Sequence, residues 1–159
     1  MDQIKPCNNV TEAVTKYAHQ VQSLAYLYLK NAQDAQDAAQ DAFIAYFQKA
    51  PTFDTEKAEK AWLMKTTANR CKSMLRFAYR KDVALTEDLS YLPKEENNVL
   101  QAVLNLDEKY RVAVHLHYYE GYSLEEIARI MHTKSGTVAS WLSRARAKLK
   151  IQLEEDYFG

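Results

Sequence analysis

Glycine and proline are scarce in this 159-residue chain, three of each, and cysteine occurs only twice. So few breakers, beside abundant Ala, Leu, Gln, Lys and Glu, argue against a loop-rich or β-rich fold and predict a mostly helical one. Cys7 and Cys71 do not make a disulfide framework, and no Cys/His group has zinc spacing. Cys71 reads most simply as a small buried hydrophobe. No apolar run is long enough to span a bilayer, and Asp2 and Gln3 stand where a signal peptide would carry a basic and then an apolar segment. No membrane insertion and a cytoplasmic, reducing setting are therefore expected. A catalytic constellation is missing too. His19, His115, His117 and His132 have no evident nucleophile, metal partner or phosphate loop beside them, and His115 and His117, two apart on a helix, face away from each other. No enzymatic activity, metal or cofactor is expected.

Net charge is also absent, since 21 Lys and Arg balance 21 Asp and Glu. The distribution is uneven, however. Residues 60–81 carry seven cations and residues 134–150 carry five, with no acid in either block, and the segments around them are acidic. Clustering governs phosphate binding more than the total does, so two separate nucleic-acid contacts are expected.

The second basic block sits in YSLEEIARIMHTKSGTVASWLSRARAKLK, residues 122–150. Ser123 with Glu126 forms a capping-box pattern, and Leu124, Ile127, Ala128 and Met131 follow at helical spacing. His132 to Gly136 breaks the rhythm, and Gly136 is the residue expected to take the turn's special backbone angle. A second helix is predicted from about Thr137, with Val138, Leu142, Ala145 and Leu149 inward and Ser140, Ser143, Arg144 and Lys148 outward. Short helix, tight turn and basic second helix describe a helix-turn-helix. The plain alternative is an amphipathic helix pair with a solvated basic face.

Earlier in the chain, Thr11 is placed to cap a helix with Val14, Tyr17, Ala18, Val21, Leu24, Ala25 and Tyr28 on its apolar face. Asn31 and Asp34 start a second helix, ended by Pro51, with Ala35, Ala38, Ala42, Phe43 and Tyr46 inward. Its outer face presents Asp34, Asp37, Gln40 and Asp41. The helix dipole favours acid in the first turn and accounts for Asp34 but hardly for Asp41, so this stripe is a candidate docking face for a basic partner. Phe53 to Glu59 reads as a polar loop, followed by a helix over residues 60–81. One side of that helix is basic, with Trp62, Phe77 and Tyr79 interleaved, a composition that suits backbone contact and base stacking. For Trp62, core packing is the simpler reading. Residues 82–98 are acidic, contain Pro93 and lack periodicity, as a linker would. Beyond them, Val99 to Leu106 forms a short helix, and Asp107 caps another that Gly121 ends. Val112, Val114, Leu116 and Tyr119 are expected to pack beneath the helix-turn-helix.

In this order the parts resemble the bacterial RNA polymerase sigma factors, the sigma-70 family, and within it the small two-domain extracytoplasmic-function (ECF) type. DAQDAAQDAF is similar to the conserved-region-2 helix that docks on the polymerase clamp. FDTEKAEKAWLMKTTANRCKSMLR is similar to the segment that opens and reads the −10 element, and residues 106–150 resemble region 4, which binds the −35 element. The resemblance implies an all-α fold of two small helical domains: residues 1–81 as region 2, 82–98 as a flexible linker and 99–159 as region 4. It implies a dissociable specificity subunit that directs core polymerase to promoters. The alternative is a stand-alone helix-turn-helix transcriptional regulator, which leaves the acidic stripe and the first basic block unexplained.

Carried onto residues, the resemblance implies that Asp37, Gln40 and Asp41 meet the clamp of the largest polymerase subunits. The loop Phe53 to Lys60 would hold a flipped base, with Lys65, Asn69, Lys72 and Arg76 along single-stranded DNA. Lys134, Ser135, Thr137, Ser140, Arg144 and Lys148 would serve the −35 element, with Arg144 suited to guanine and Ser135 to Thr137 offering a helix N-terminus to phosphate. Core polymerase (its flap for region 4), promoter DNA and an anti-sigma factor are the partners implied. The chain departs from the family pattern at Ala139 and Trp141, where basic residues are usual, at Thr66 to Ala68 and Ser73, and at the small Ala38 and Ala39. These bear on which promoter is read more than on polymerase binding.

Overall fold

The structure, a computed structural model, describes residues 10–49, 51–81 and 98–158. Among them every regular element is helical: α1 (Val10–Leu29), α2 (Ala32–Lys49), α3 (Glu56–Arg80), α4 (Asn98–Leu104), α5 (Glu108–Val114), α6 (Leu124–Met131) and α7 (Ser135–Phe158), with a π-helical turn at His115–Tyr119. The chain divides into two compact units, the first ending at Asp88 and the second starting at Leu89. Cys7 and the expected linker lie outside the described residues, except Asn98, which opens α4. No described helix is long and apolar enough to cross a membrane.

The first unit is a three-helix bundle in which α1, α2 and α3 all touch one another. Thr11 lies inside α1 and not at its cap, and Val14 is partly exposed. Seven consecutive residues from Ser23 to Leu29 are buried, so the end of α1 is enclosed on all sides, as an all-round apolar segment must be. Lys30, at φ 53, ends α1, and the Asn31 side chain accepts from the Asp34 amide at 3.0 Å to start α2. Ala35, Ala38, Ala39 and Ala42 are buried on α2, and such small side chains let helices approach closely.

The expected loop over Phe53–Glu59 is shorter than its composition suggested. Thr55 caps α3, accepting from the Ala58 amide at 3.0 Å, and Glu56 and Glu59 already belong to its first turn. Threonine at the cap and acid in the first turn favour an early start. Glu59 is wholly buried, accepting from the hydroxyls of Tyr17 at 2.8 Å and Tyr46 at 2.6 Å. One carboxyl group on α3 thereby ties down both α1 and α2.

In the second unit α7 packs against α4, α5 and α6. Ser123 and Glu126 form the full capping box at the start of α6. The turn after α6 is made differently from the expectation. His132, not Gly136, takes the left-handed conformation, at φ 55, and the Thr133 amide donates to the Ala128 carbonyl at 2.9 Å. This is a Schellman-type ending, for which histidine is among the better-tolerated non-glycine residues. Gly136 lies within the first turn of α7, which begins at Ser135. Gly121 does need its freedom, adopting φ 78, where the Tyr122 amide reaches back to the Leu116 carbonyl at 2.9 Å. Val112, Val114 and Leu116 are buried as expected, whereas Tyr119 is 74 % exposed. The π turn rotates it outward, and its ring stacks on His115 at 5.2 Å.

Candidate nucleic-acid interfaces

The acidic stripe on α2 is real but unequal. Asp37 and Gln40 are exposed. The Asp41 carboxylate instead accepts from Arg70 on α3 at 2.6 Å, with both side chains about half-exposed. Asp41 thus has a partner within its own bundle. Past Gln40 the same face of α2 carries Ile44 and Phe47, 51 % and 70 % exposed. These border an apolar groove of about 700 Å³ between α1 and α2 that sequence periodicity did not reveal.

The residues assigned to the −10 element fall into two sets. Phe53 is half-buried in an aromatic cluster, 6.4 Å from the Tyr46 ring and 6.1 Å from Trp62, with Tyr46 and Trp62 edge to face at 6.0 Å. Trp62 is accordingly a packing residue, as its simpler reading had it. Lys60 opens the basic side of α3, half-buried. Farther along, Lys65, Asn69 and Arg76 are exposed and Lys72 is half-exposed, and their spacing of four, three and four keeps them on one helix face. Arg76 also donates to the Ser73 hydroxyl at 3.3 Å.

On α7 the two sides are cleanly divided. Val138, Leu142 and Ala145 are buried, whereas Ser140, Arg144 and Lys148 are exposed and Thr137 half-exposed. Lys134 is exposed just before the helix, and its carbonyl takes the first helical bond, from the Val138 amide at 3.1 Å. The amides of Ser135, Gly136 and Thr137 therefore stand at the open end of the helix, where an anion is favoured. Lys148 sits at the flank of this face, its ammonium 4.8 Å from the Tyr110 ring on α5. Arg146 is turned elsewhere and donates to the Tyr118 hydroxyl at 2.6 Å. Trp141 is half-buried beside the exposed face. In the same unit, burial and then the carboxylates of Glu120 and Glu126 hold the Tyr122 hydroxyl well above the usual phenol range.

Among the described residues no three His, Cys, Asp or Glu converge as metal ligands would. The surfaces suit binding by charge, hydrogen bonds and rings.

Comparison with known proteins matches residues 13–81 to Sigma-70 region 2 and residues 96–149 to Sigma-70, region 4. The ECF RNA polymerase sigma factor SigW of Bacillus subtilis is 29 % identical, over 91 % of this chain and 88 % of that protein. The RNA polymerase sigma-H factor of Pseudomonas aeruginosa is 30 % identical, over 89 % of this chain and 84 % of that protein. Among solved structures, the sigma factor RpoE of Bartonella quintana, crystallised in complex with the anti-sigma factor NepR, superposes with a TM-score of 0.77 at 24 % identity, covering 91 % of this chain and 96 % of that one.

Proposed function

The chain belongs to the sigma-70 family of RNA polymerase sigma factors, in its ECF type, and on that premise we propose how its residues divide the work. Asp37 and Gln40, with Asp41 beside them, dock α2 on the clamp of core polymerase. Lys65, Asn69, Lys72 and Arg76 run along the single-stranded −10 element, and Lys60 and the segment from Phe53 flank the flipped base. Unstacking a base costs a few kcal/mol, so contacts along α3 must replace the lost stacking. Lys134, Ser135 and Thr137 hold phosphate at the start of α7, while Ser140 and Arg144 enter the major groove of the −35 element. The planar fork of Arg144 matches the two acceptors of guanine, and Lys148 steadies the rim. Region 4 also meets the polymerase flap. The anti-sigma factor bound to the Bartonella relative supports an inhibitor of that class for this chain.

The observation that carries this reading is the pairing of two acid-free basic stretches, residues 60–81 along α3 and 134–150 into α7, within one chain that also presents an acidic face on α2. A stand-alone helix-turn-helix regulator leaves the whole first unit without a role.

Run-off transcription with purified core polymerase and genomic promoter fragments tests it. Discrete start sites that need the chain are expected. Sequence-specific DNA binding without polymerase, and no new start sites, would overturn the reading.

A further inference from the structure

Resting on the −10 reading of α3, we propose that Tyr79 is a further nucleic-acid contact of that helix, a ring on which an unpaired base stacks. Tyr79 is 89 % exposed. Single exposed rings are common and carry no weight by themselves. Its position is what counts. Lys65, Asn69, Lys72 and Arg76 step along one face by four, three and four, and the next step of three lands on Tyr79. Arg76, exposed and three residues back, sits beside it on that face.

The stripe therefore ends in a ring next to a cation. Its neighbour Phe77 is different: it lies a quarter-turn off the stripe, and the Lys81 ammonium covers its ring at 6.0 Å. From Lys65 to Tyr79 the helix rises about 21 Å, at ~1.5 Å per residue. A strand keeping its duplex rise would place about six phosphates at ~3.4 Å along that length, and an unpaired, more extended strand fewer. Cations along this length hold a backbone, and a ring at its end takes a base of any identity, because every base has a π face.

The test uses holoenzyme assembled from core polymerase and the full chain. Its affinity is measured for a fluorescent promoter fragment whose non-template −10 strand is unpaired. Tyr79→Ala is expected to weaken binding about tenfold, equivalent to ~1.4 kcal/mol, within the range for stacking one base. Tyr79→Phe should bind as the parent does and Tyr79→Leu should match the alanine variant, all with unchanged affinity for core. Full affinity in Tyr79→Leu would overturn the proposal, since a branched aliphatic has no π face. Full affinity in Tyr79→Ala, with Lys65→Ala weakened, would overturn it and leave the −10 reading standing. If Lys65→Ala is also unaffected, both fall.

Discussion

The hydroxyl of Tyr46 on α2 donates to the Glu59 carboxyl on α3 at 2.6 Å, inside the first unit and out of contact with solvent. With Tyr17 on the other carboxyl oxygen, this joins all three helices at the point where the loop from Phe53 enters α3. The aromatic cluster of Tyr46, Phe53 and Trp62 adjoins it. The segment proposed to hold the flipped base is thus anchored from beneath.

Glu59→Ala should destabilise the first unit by about 3 kcal/mol, because it removes the carboxyl oxygen to which each of two buried tyrosine hydroxyls donates. Glu59→Gln should lose only about 1 kcal/mol, since the amide can still accept from one hydroxyl and donate to the other. Urea unfolding followed by Trp62 fluorescence, with Trp141→Phe removing the other tryptophan, measures both. Equal stability of the two variants would show that only side-chain volume matters at this position.

Asp37→Lys should weaken binding to core polymerase about tenfold, the scale of ~1.4 kcal/mol for one charge reversal at a complementary interface. Fold stability should hold, since Asp37 is exposed. Asp41→Arg is a poorer probe, because it sets two guanidinium groups together where Asp41 now meets Arg70. A double-mutant cycle on that half-exposed pair should give a coupling of about 0.5 kcal/mol. Unchanged core affinity in Asp37→Lys would remove α2 as the docking face.

Arg144→Ala should cost about 1–3 kcal/mol in binding promoter DNA and relax the preference at a single −35 position. Run-off yield from promoters mutated at each −35 base reads this out, with core binding measured in parallel. Equal loss of core binding would mean that Arg144 acts through the polymerase and not through DNA.

Gly136→Ala should stabilise the second unit by about 0.5 kcal/mol, since alanine is the better helix former and a methyl group there meets nothing within 4 Å. His132→Gly should stabilise it by a similar ~0.5 kcal/mol, relieving a left-handed residue that costs an L-amino acid about 1–2 kcal/mol, less glycine's own entropy. Urea unfolding followed by Trp141 fluorescence in a Trp62→Phe background measures both. Destabilisation by Gly136→Ala would restore Gly136 as the turn residue. The motif pointed to Gly136 because glycine is the default left-handed residue; the backbone bonds that end α6 put His132 there instead.

The features legible in the chain alone are those set by neighbours three or four residues apart. Ser123 and Glu126 cap α6 by contacts within one turn. The inward face of α2 and the exposed cations of α3 and α7 follow directly from helical spacing, which is also why the order of family motifs could be read without coordinates. Glu59 was beyond that reach. An acid in a polar stretch looks like loop, and only the arrival of Tyr17, 42 residues away, and Tyr46, 13 away, gives it a buried partner on each oxygen. Asp41 likewise looks free until packing of α2 on α3 brings Arg70 from 29 residues away. Phe53 has the same history, since its place in the cluster depends on where Tyr46 and Trp62 meet. Helices and charged faces are short-range properties of a chain. Which of their side chains stay free to bind is decided by long-range packing, because desolvation and pairing depend on groups that the linear order keeps apart.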